Sequence, residues 1–322
     1  MIKRNLGNSD LNASIIGLGC MGMSEWYGPT NDEESITTLH TALNNGLNFF
    51  DTADVYGNGH NEILVGKALK ERRSEAIIAT KFGFLPNEAG ISGRPEYAKS
   101  ACNASLQRLG IDCIDLYYLH RVDPNVPVEE SVGAMADLVK EGKVKYIGLS
   151  EASAESLKRA CKIHPITALQ TEYSIWVRDI ENKILQTCRE LNIAIVPYSP
   201  LGRGFLTGKV KDTKIFDDND FRKKVPLFEE ENFKANLKVV EELEQIAGEK
   251  GCKASQLALA WLIEQGEDIF PIPGTKREKY LVENIHSIEI KLTTEEISRI
   301  NSLAKKIKGE RKSQSGMKLV NG

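Results

Sequence analysis

Short apolar runs alternate with longer amphipathic stretches along almost the whole chain. The runs Ser14–Gly19, Leu47–Ala53, Ala76–Phe82, Ile114–His120, Val144–Ser150, Ala168–Tyr173, Ile193–Pro197 and Asp268–Ile272 read as strands. Helical periodicity fills Asp32–Asn45, Asn61–Glu71, Pro95–Leu109, Val128–Glu141, Ala154–Lys162, Ile180–Leu191 and Lys276–His286. Pro95 opens one of these helices, and Gly46, Gly110 and Gly142 follow the ends of three. Strands alternating with helices predict a parallel sheet with helical crossovers. Eight such units, with strands apolar throughout and polar residues at their ends, predict an α/β fold of the closed (β/α)8 TIM-barrel type.

Three segments lie outside the eight units. Residues 1–13 predict a β-hairpin turning at Gly7-Asn8-Ser9-Asp10, placed to cover the bottom of the barrel. The polar stretch from Gly208 to Pro226 follows a strand's carboxyl end and reads as a mobile loop over the active-site face, with a disordered insertion as the alternative. Extra C-terminal helices are expected over Leu227–Gln265, split at Gly251, and from the capping-box pattern Thr293-Thr-Glu-Glu to about Lys306. The whole chain, 1–322, is expected to form one barrel domain, with about 308–322 a solvated, flexible tail.

Composition narrows the function classes. A net charge of -3 and a pI near 6.1 argue against a dedicated nucleic-acid binder. None of the six cysteines forms a Cys-x-x-Cys pair, and the histidines are not clustered as metal ligands, so no metal is expected. The amino terminus lacks an apolar signal core and no run is long enough to span a bilayer, which leaves the cytoplasm as the expected location and no membrane partner. Self-association stays open.

The candidate chemistry sits at strand ends. Asp51 closes Leu47-Asn-Phe-Phe50, Lys81 follows Ala76-Ile-Ile-Ala-Thr80, His120 follows Ile114–Leu119, and Tyr56 lies on the loop after Asp51. Singly, each has an ordinary explanation: a turn cap, a surface charge, a structural imidazole, a packed ring. Jointly, at three consecutive strand ends of a parallel barrel, they converge on one pocket. An acid, a phenol, an amine and an imidazole together suit proton transfer.

The chain resembles the aldo-keto reductases over nearly its whole length. The resemblance rests on Gly17-Leu-Gly-Cys-Met-Gly22, Phe50-Asp-Thr-Ala-Asp-Val-Tyr-Gly57, Ala79-Thr-Lys-Phe-Gly83, Asp115-Leu-Tyr-Tyr-Leu-His120, Gly142–Ser150, Pro197-Tyr-Ser-Pro-Leu-Gly202 and Ile272-Pro-Gly-Thr275, in order and at matching spacing. Within that family it is most similar to the bacterial and plant branch resembling the aldo-keto reductase 13 group, with Gly22-Met-Ser24 and Pro200-Leu-Gly-Arg-Gly-Phe-Leu-Thr-Gly208. The resemblance implies an NADPH/NADP+-dependent oxidoreductase acting on small-molecule carbonyls, with Asp51, Tyr56, Lys81 and His120 as its catalytic set and Tyr56 as proton donor. Lys81 is expected to lower the Tyr56 pKa from its free value near ~10. Tyr198 would stack on the nicotinamide, and Ser150 and Gln170 would bind its carboxamide. Ser199, Leu201, Gly202 and Arg203 would line the pyrophosphate; Thr275, Lys276, Glu283 and Asn284 would hold the adenosine end. The family's best-known phosphate grip places basic residues where this chain has Gly274 and Tyr280.

For the substrate mouth, Trp26, Tyr27, Phe82, Phe84 and Trp176 are expected to form an aromatic wall suited to aldehydes and ketones without a large charge. A second reading is a redox-sensing regulatory subunit that uses the same fold and cofactor with slow turnover.

Overall fold

The computed structural model describes residues 1–86, 90–216, 220–317 and 320. The chain opens with a hairpin, β1 (Lys3–Asn5) and β2 (Asn12–Ser14), paired antiparallel. Seven parallel strands follow in chain order: β3 (Leu18–Gly19), β4 (Phe49–Asp51), β5 (Ile77–Phe82), β6 (Ile114–Leu119), β7 (Val144–Ser150), β8 (Ala168–Glu172) and β9 (Ala194–Tyr198). Each pairs with the next. Ser14 thus belongs to the hairpin, and the first barrel strand is shorter than its apolar run.

The eighth run closes the barrel without becoming a ladder. On one side the Ile195 N–H donates to the Asp268 carbonyl and the Phe270 N–H to the Ile195 carbonyl. On the other, the N–H groups of Gly17 and Gly19 donate to the carbonyls of Pro271 and Pro273. Those prolines have no N–H to return, so only isolated bridges, at Ile269 and Gly274, are formed.

The crossovers are α1 (Asp32–Asn44), α2 (His60–Leu69), α3 (Pro95–Leu109), α4 (Val128–Lys140), α5 (Ala154–Cys161) and α6 (Ile184–Glu190). The Asn31 side chain caps α1 by accepting from the Glu34 N–H. Beyond β9 come α7 (Glu230–Lys250), α8 (Ala254–Ile263), α9 (Glu278–Ile285), α10 (Thr294–Ala304) and the single turn α11 (Gln314–Met317). Gly251, at φ 73°, ends α7, and Thr293 with Glu296 forms the capping box of α10.

Alternation along the strands builds two apolar cores. Phe49, Ile77, Ala79, Leu116, Tyr118, Ala168, Ala194, Val196, Phe270 and Ile272 fill the barrel, closed from below by Leu6 and Leu11 of the hairpin. Their neighbours in sequence, such as Phe50, Ile78, Phe82, Tyr117 and Leu119, pack outward under the helices. Space inside is tight: a Cβ at Gly148 would lie 2.5 Å from the Tyr118 ring, so glycine there lets Tyr118 occupy the interior. Continuing the inward series by one more step places Asp51, Lys81, Gln170 and Tyr198 at the carboxyl ends of their strands. Fold geometry therefore sets the layer in which the chemistry sits.

The stretch from Gly208 to Pro226, of which residues 217–219 lie outside the described residues, holds short 3-10 turns at Thr213–Ile215 and Phe221–Lys224 and continues into one at Pro226–Phe228. It lies over the mouth. Phe221 stacks on Trp26 at 5.2 Å between ring centres, and the Arg222 guanidinium lies 5.6 Å from the centre of the Tyr27 ring. The tail departs from the expected solvated end. Arg311 is buried and Lys312 nearly so, because both fold back onto carboxylates at the ends of β7 and β8. Residues 318–319 and 321–322 lie outside the described residues. No helix among the described residues is long and apolar enough to cross a membrane.

Candidate active site

Lys81 stands at the centre of the strand-end layer, fully buried. Its ammonium donates to Asp51 Oδ1 at 2.6 Å, to the Thr52 carbonyl at 2.6 Å and to the Tyr56 hydroxyl at 3.2 Å. Three acceptors match its three N–H donors. The other oxygen of Asp51 accepts from Gln170 Nε2 at 2.7 Å. The loop after β4 therefore carries Tyr56 back over its own strand to meet a lysine from the next one. The His120 ring meets Tyr56 edge-on, with centres 6.0 Å apart, and is backed by Phe84 at 4.7 Å. The four residues singled out by their strand ends lie together.

Their electrostatics follow from burial. Burial opposes the charge on Lys81, but the Asp51 carboxylate, with Tyr56, outweighs it and holds the lysine pKa above its ordinary value. Burial pushes the Tyr56 phenol up, and the nearby Lys81 charge offsets this only in part. The expectation of a lowered Tyr56 pKa is thus corrected: in this pocket desolvation is the larger effect, and the phenol holds its proton. Burial also drives His120 well below its ordinary value, with Arg121, Lys81 and Lys312 acting in the same direction, so the imidazole is neutral. Its Nδ1 is buried and has no hydrogen-bond partner among the described residues. A bare acceptor there costs less than a stranded N–H, which assigns the proton to Nε2.

Around this centre lie the residues expected at a cofactor site. Tyr198 is half-buried at the end of β9, its hydroxyl donating to Glu151 Oε1 at 2.8 Å. Ser150 pairs with Gln170 across β7 and β8, and its hydroxyl accepts from Arg121 at 3.1 Å. Backbone at Ser199, Gly202, Arg203 and Gly204 has φ of 49°, 55°, 54° and 91°, left-handed residues on both sides of Leu201. The Arg203 side chain is buried and bound through two nitrogens to Glu172, at 2.7 and 2.9 Å. At the far end, Thr275 and Lys276 precede α9. The Lys276 ammonium donates to the carbonyls of Tyr27, Gly28 and Pro29. Glu283 is paired with Lys253 and accepts from Ser255 at 2.6 Å, while Asn284 is buried beside it. Lys209 places its ammonium 3.7 Å from the centre of the Tyr280 ring, bringing a cation where the sequence lacks one.

The aromatic wall divides. Phe84 faces His120, Tyr27 is half-buried at the mouth, and Trp26 is exposed there under Phe221. Phe82 does not face the pocket: next to inward-pointing Lys81 it must point outward, where it stacks on Tyr117 at 5.0 Å. Trp176 is also buried in the outer core, stacked on Phe205 at 4.8 Å and pressed against Gly202, where a Cβ would come within 2.5 Å of its ring.

Sequence reasoning missed an ionic cluster beside Tyr198. Glu151, at a strained φ of 54°, is bound through both oxygens by Arg311, at 3.0 and 2.8 Å. Glu151 and Glu172 follow or close apolar strands, the same signal that marks Asp51; Arg311 lies too far along the chain to carry any. A groove of about 970 Å³ occurs at the opposite end of the barrel, lined by Asn48, Arg73, Asp115 and Lys145 among others. At its centre Arg73 and Lys145 are each 2.7 Å from Asp115. It holds no proton-transfer set. No group of His, Cys, Asp and Glu among the described residues could hold a metal ion.

Comparison with known proteins agrees with this geometry. The model of the aldo/keto reductase family matches residues 15–305. A glycerol dehydrogenase, AKR11B4 from Gluconobacter oxydans, is 29% identical, with 94% of each chain covered and a TM-score of 0.85. A thermostable aldo-keto reductase, Tm1743, solved with the inhibitor epalrestat, is 32% identical, covering 94% of this chain and 100% of that one, with a TM-score of 0.75.

Proposed function

The chain belongs to the aldo/keto reductase family, and from that premise we propose that it reduces aldehydes or ketones to alcohols with NADPH, Tyr56 delivering the proton. The observation that carries this is the Lys81 ammonium shared between the Asp51 carboxylate and the Tyr56 hydroxyl. A phenol that keeps its proton is the state a donor needs. As negative charge grows on a substrate oxygen, that proton leaves Tyr56, and the phenolate forms 3.2 Å from a fixed cation. The low local dielectric that raises the phenol pKa also strengthens this attraction. His120, neutral and carrying its proton on Nε2, donates to the same oxygen and orients it.

The residues present fit a dinucleotide. The left-handed turns around Leu201 include Gly202 and Gly204, where the missing side chain would let an anionic group approach the backbone. Tyr198 offers a flat ring beside them. Lys276 has no carboxylate within ion-pair distance among the described residues, and Lys209 lies near Glu283 and Tyr280. These cations support a 2′-phosphate and hence NADPH over NADH. The bound cofactor would supply the hydride, which side chains cannot. The similar glycerol dehydrogenase supports interconversion of alcohol and carbonyl as the reaction class.

The test is Tyr56→Phe, which keeps the ring and removes only the donor. Turnover of aldehydes should fall on the order of 10²–10⁴-fold, while NADPH fluorescence titration still shows binding. Near-normal turnover would overturn the assignment of Tyr56. For cofactor choice, Lys276→Ala should weaken NADPH more than NADH, by about 1.5–3 kcal/mol for one charged contact. Equal losses would remove the phosphate site.

A further inference from the structure

We infer that the substrate mouth beside His120 takes a carbonyl compound bearing a carboxylate, held by Arg121 and Lys312. This rests on the reductase reading and names its substrate class. Charged side chains gather at the carboxyl ends of β4 to β9. Three of the carboxylates there are each bound by a cation: Asp51 by Lys81, Glu172 by Arg203, Glu151 by Arg311. Two more cations stand beside these pairs. Among the described residues the Arg121 guanidinium donates only to neutral oxygens, the His120 carbonyl and the Ser150 hydroxyl. The Lys312 ammonium lies 3.7 Å from Glu151 Oε2, but both Glu151 oxygens already accept from Arg311, and Oε1 also accepts from Tyr198.

Both of these cations flank the reacting groups. Arg121 lies 5.4 Å from the centre of the Phe84 ring, the ring that backs His120. Lys312 lies 5.7 Å from the centre of the Tyr198 ring. The Lys312 side chain is only 11% exposed, so its charge is largely withdrawn from water, and the carboxylate it faces, Glu151 at 3.7 Å, is shared with Arg311. An incompletely paired buried charge is costly, and an anion entering between the two cations would relieve that cost. Arg121 adds a planar fork that matches a carboxylate. The uncharged substrate expected from the aromatic wall gives way to an acidic one, because two of those rings lie in the outer core and the tail brings a cation instead.

The test compares succinic semialdehyde with its methyl ester, which keeps the aldehyde and hides the charge. With NADPH, the wild type should favour the acid at least tenfold in kcat/KM, chiefly through KM. Lys312→Met and Arg121→Met should each collapse that ratio, Lys312→Glu should invert it, and Lys312→Arg should retain it. A wild-type ratio near one, or a ratio unchanged in both Met variants, would overturn the proposal. So would parallel losses for acid and ester together with weakened NADPH binding, which would give the cations to the cofactor. A preference for glyceraldehyde 3-phosphate over glyceraldehyde larger than the acid-to-ester preference would replace the carboxylate with a phosphate. If no aldehyde turns over, the reductase reading fails on its own, and calorimetry with succinate on the NADPH-loaded protein still decides. Saturable binding that Lys312→Met weakens tenfold supports the anion site; no binding overturns it.

Discussion

Burial works against the charge on Lys81 more strongly than any other single influence, and the Asp51 carboxylate 2.6 Å away is what restores it. Lys81→Met would leave Asp51 buried with Gln170 as its remaining partner, at a cost of about 3–5 kcal/mol for a broken buried pair. It would also remove a cation hydrogen-bonded to a phenol whose pKa burial already raises. The basic limb of the alcohol-oxidation pH profile should therefore move upward and turnover should fall. Asp51→Asn should move it the same way, because a lysine this buried sheds its proton once its carboxylate is gone. Profiles measured for both variants decide; an unshifted Lys81→Met profile would uncouple the lysine from Tyr56. The meeting of Asp51, Lys81 and His120 was legible because consecutive strand ends of a parallel barrel face one pocket, although each residue alone has an ordinary explanation. Phe82 was misplaced by neglecting alternation, since it cannot share a face with Lys81. The raised Tyr56 pKa was not legible, because burial depth is a property of the assembled pocket.

At the scale of elements, the barrel was readable from strand–helix alternation, whereas strand ends shifted with hydrogen-bond supply. Pro271 and Pro273 thin the eighth strand to bridges, and Ser14 serves the hairpin. The loops at the mouth were harder to read than the barrel, since they are held by contacts distant in sequence. Lys276 ties the carbonyls of Tyr27, Gly28 and Pro29 to the start of α9, and Phe221 covers Trp26. Lys276→Ala should thus have a second effect besides its loss of NADPH affinity. The segment 24–31 should exchange amide hydrogens faster in the cofactor-free protein, with the barrel strands unchanged. Exchange there at the wild-type rate would mean that the three carbonyl bonds contribute nothing to loop order.

For the molecule as a whole, the tail is the part least legible in sequence and most consequential in structure. Its basic residues read as a solvated end, yet Arg311 reaches Glu151 across 160 positions. Burial pushes the Glu151 carboxyl up, but Lys312 and Arg311 outweigh it and hold its pKa well below the carboxylate range. A folded pKa below the unfolded value of about 4.3 means stability that is present above that pH and lost as pH falls toward the folded value. Arg311→Ala removes the bidentate partner of a fully buried carboxylate. At pH 7 it should destabilise the protein by up to about 3–5 kcal/mol, less if the tail peels away and lets Glu151 hydrate. Below about pH 4 wild-type Glu151 begins to take up a proton on unfolding and the guanidinium loses its advantage. The difference in urea-unfolding free energy between wild type and Arg311→Ala should therefore shrink from pH 7 to pH 3. Taking the difference cancels the titration of carboxylates remote from Arg311; Glu172 and Asp179, 3.7 and 3.1 Å from it, add to the effect of Glu151 in the same direction. Parallel stability curves across that range would show that Arg311 does not hold Glu151, and the tail would then be no part of the wall beside Tyr198.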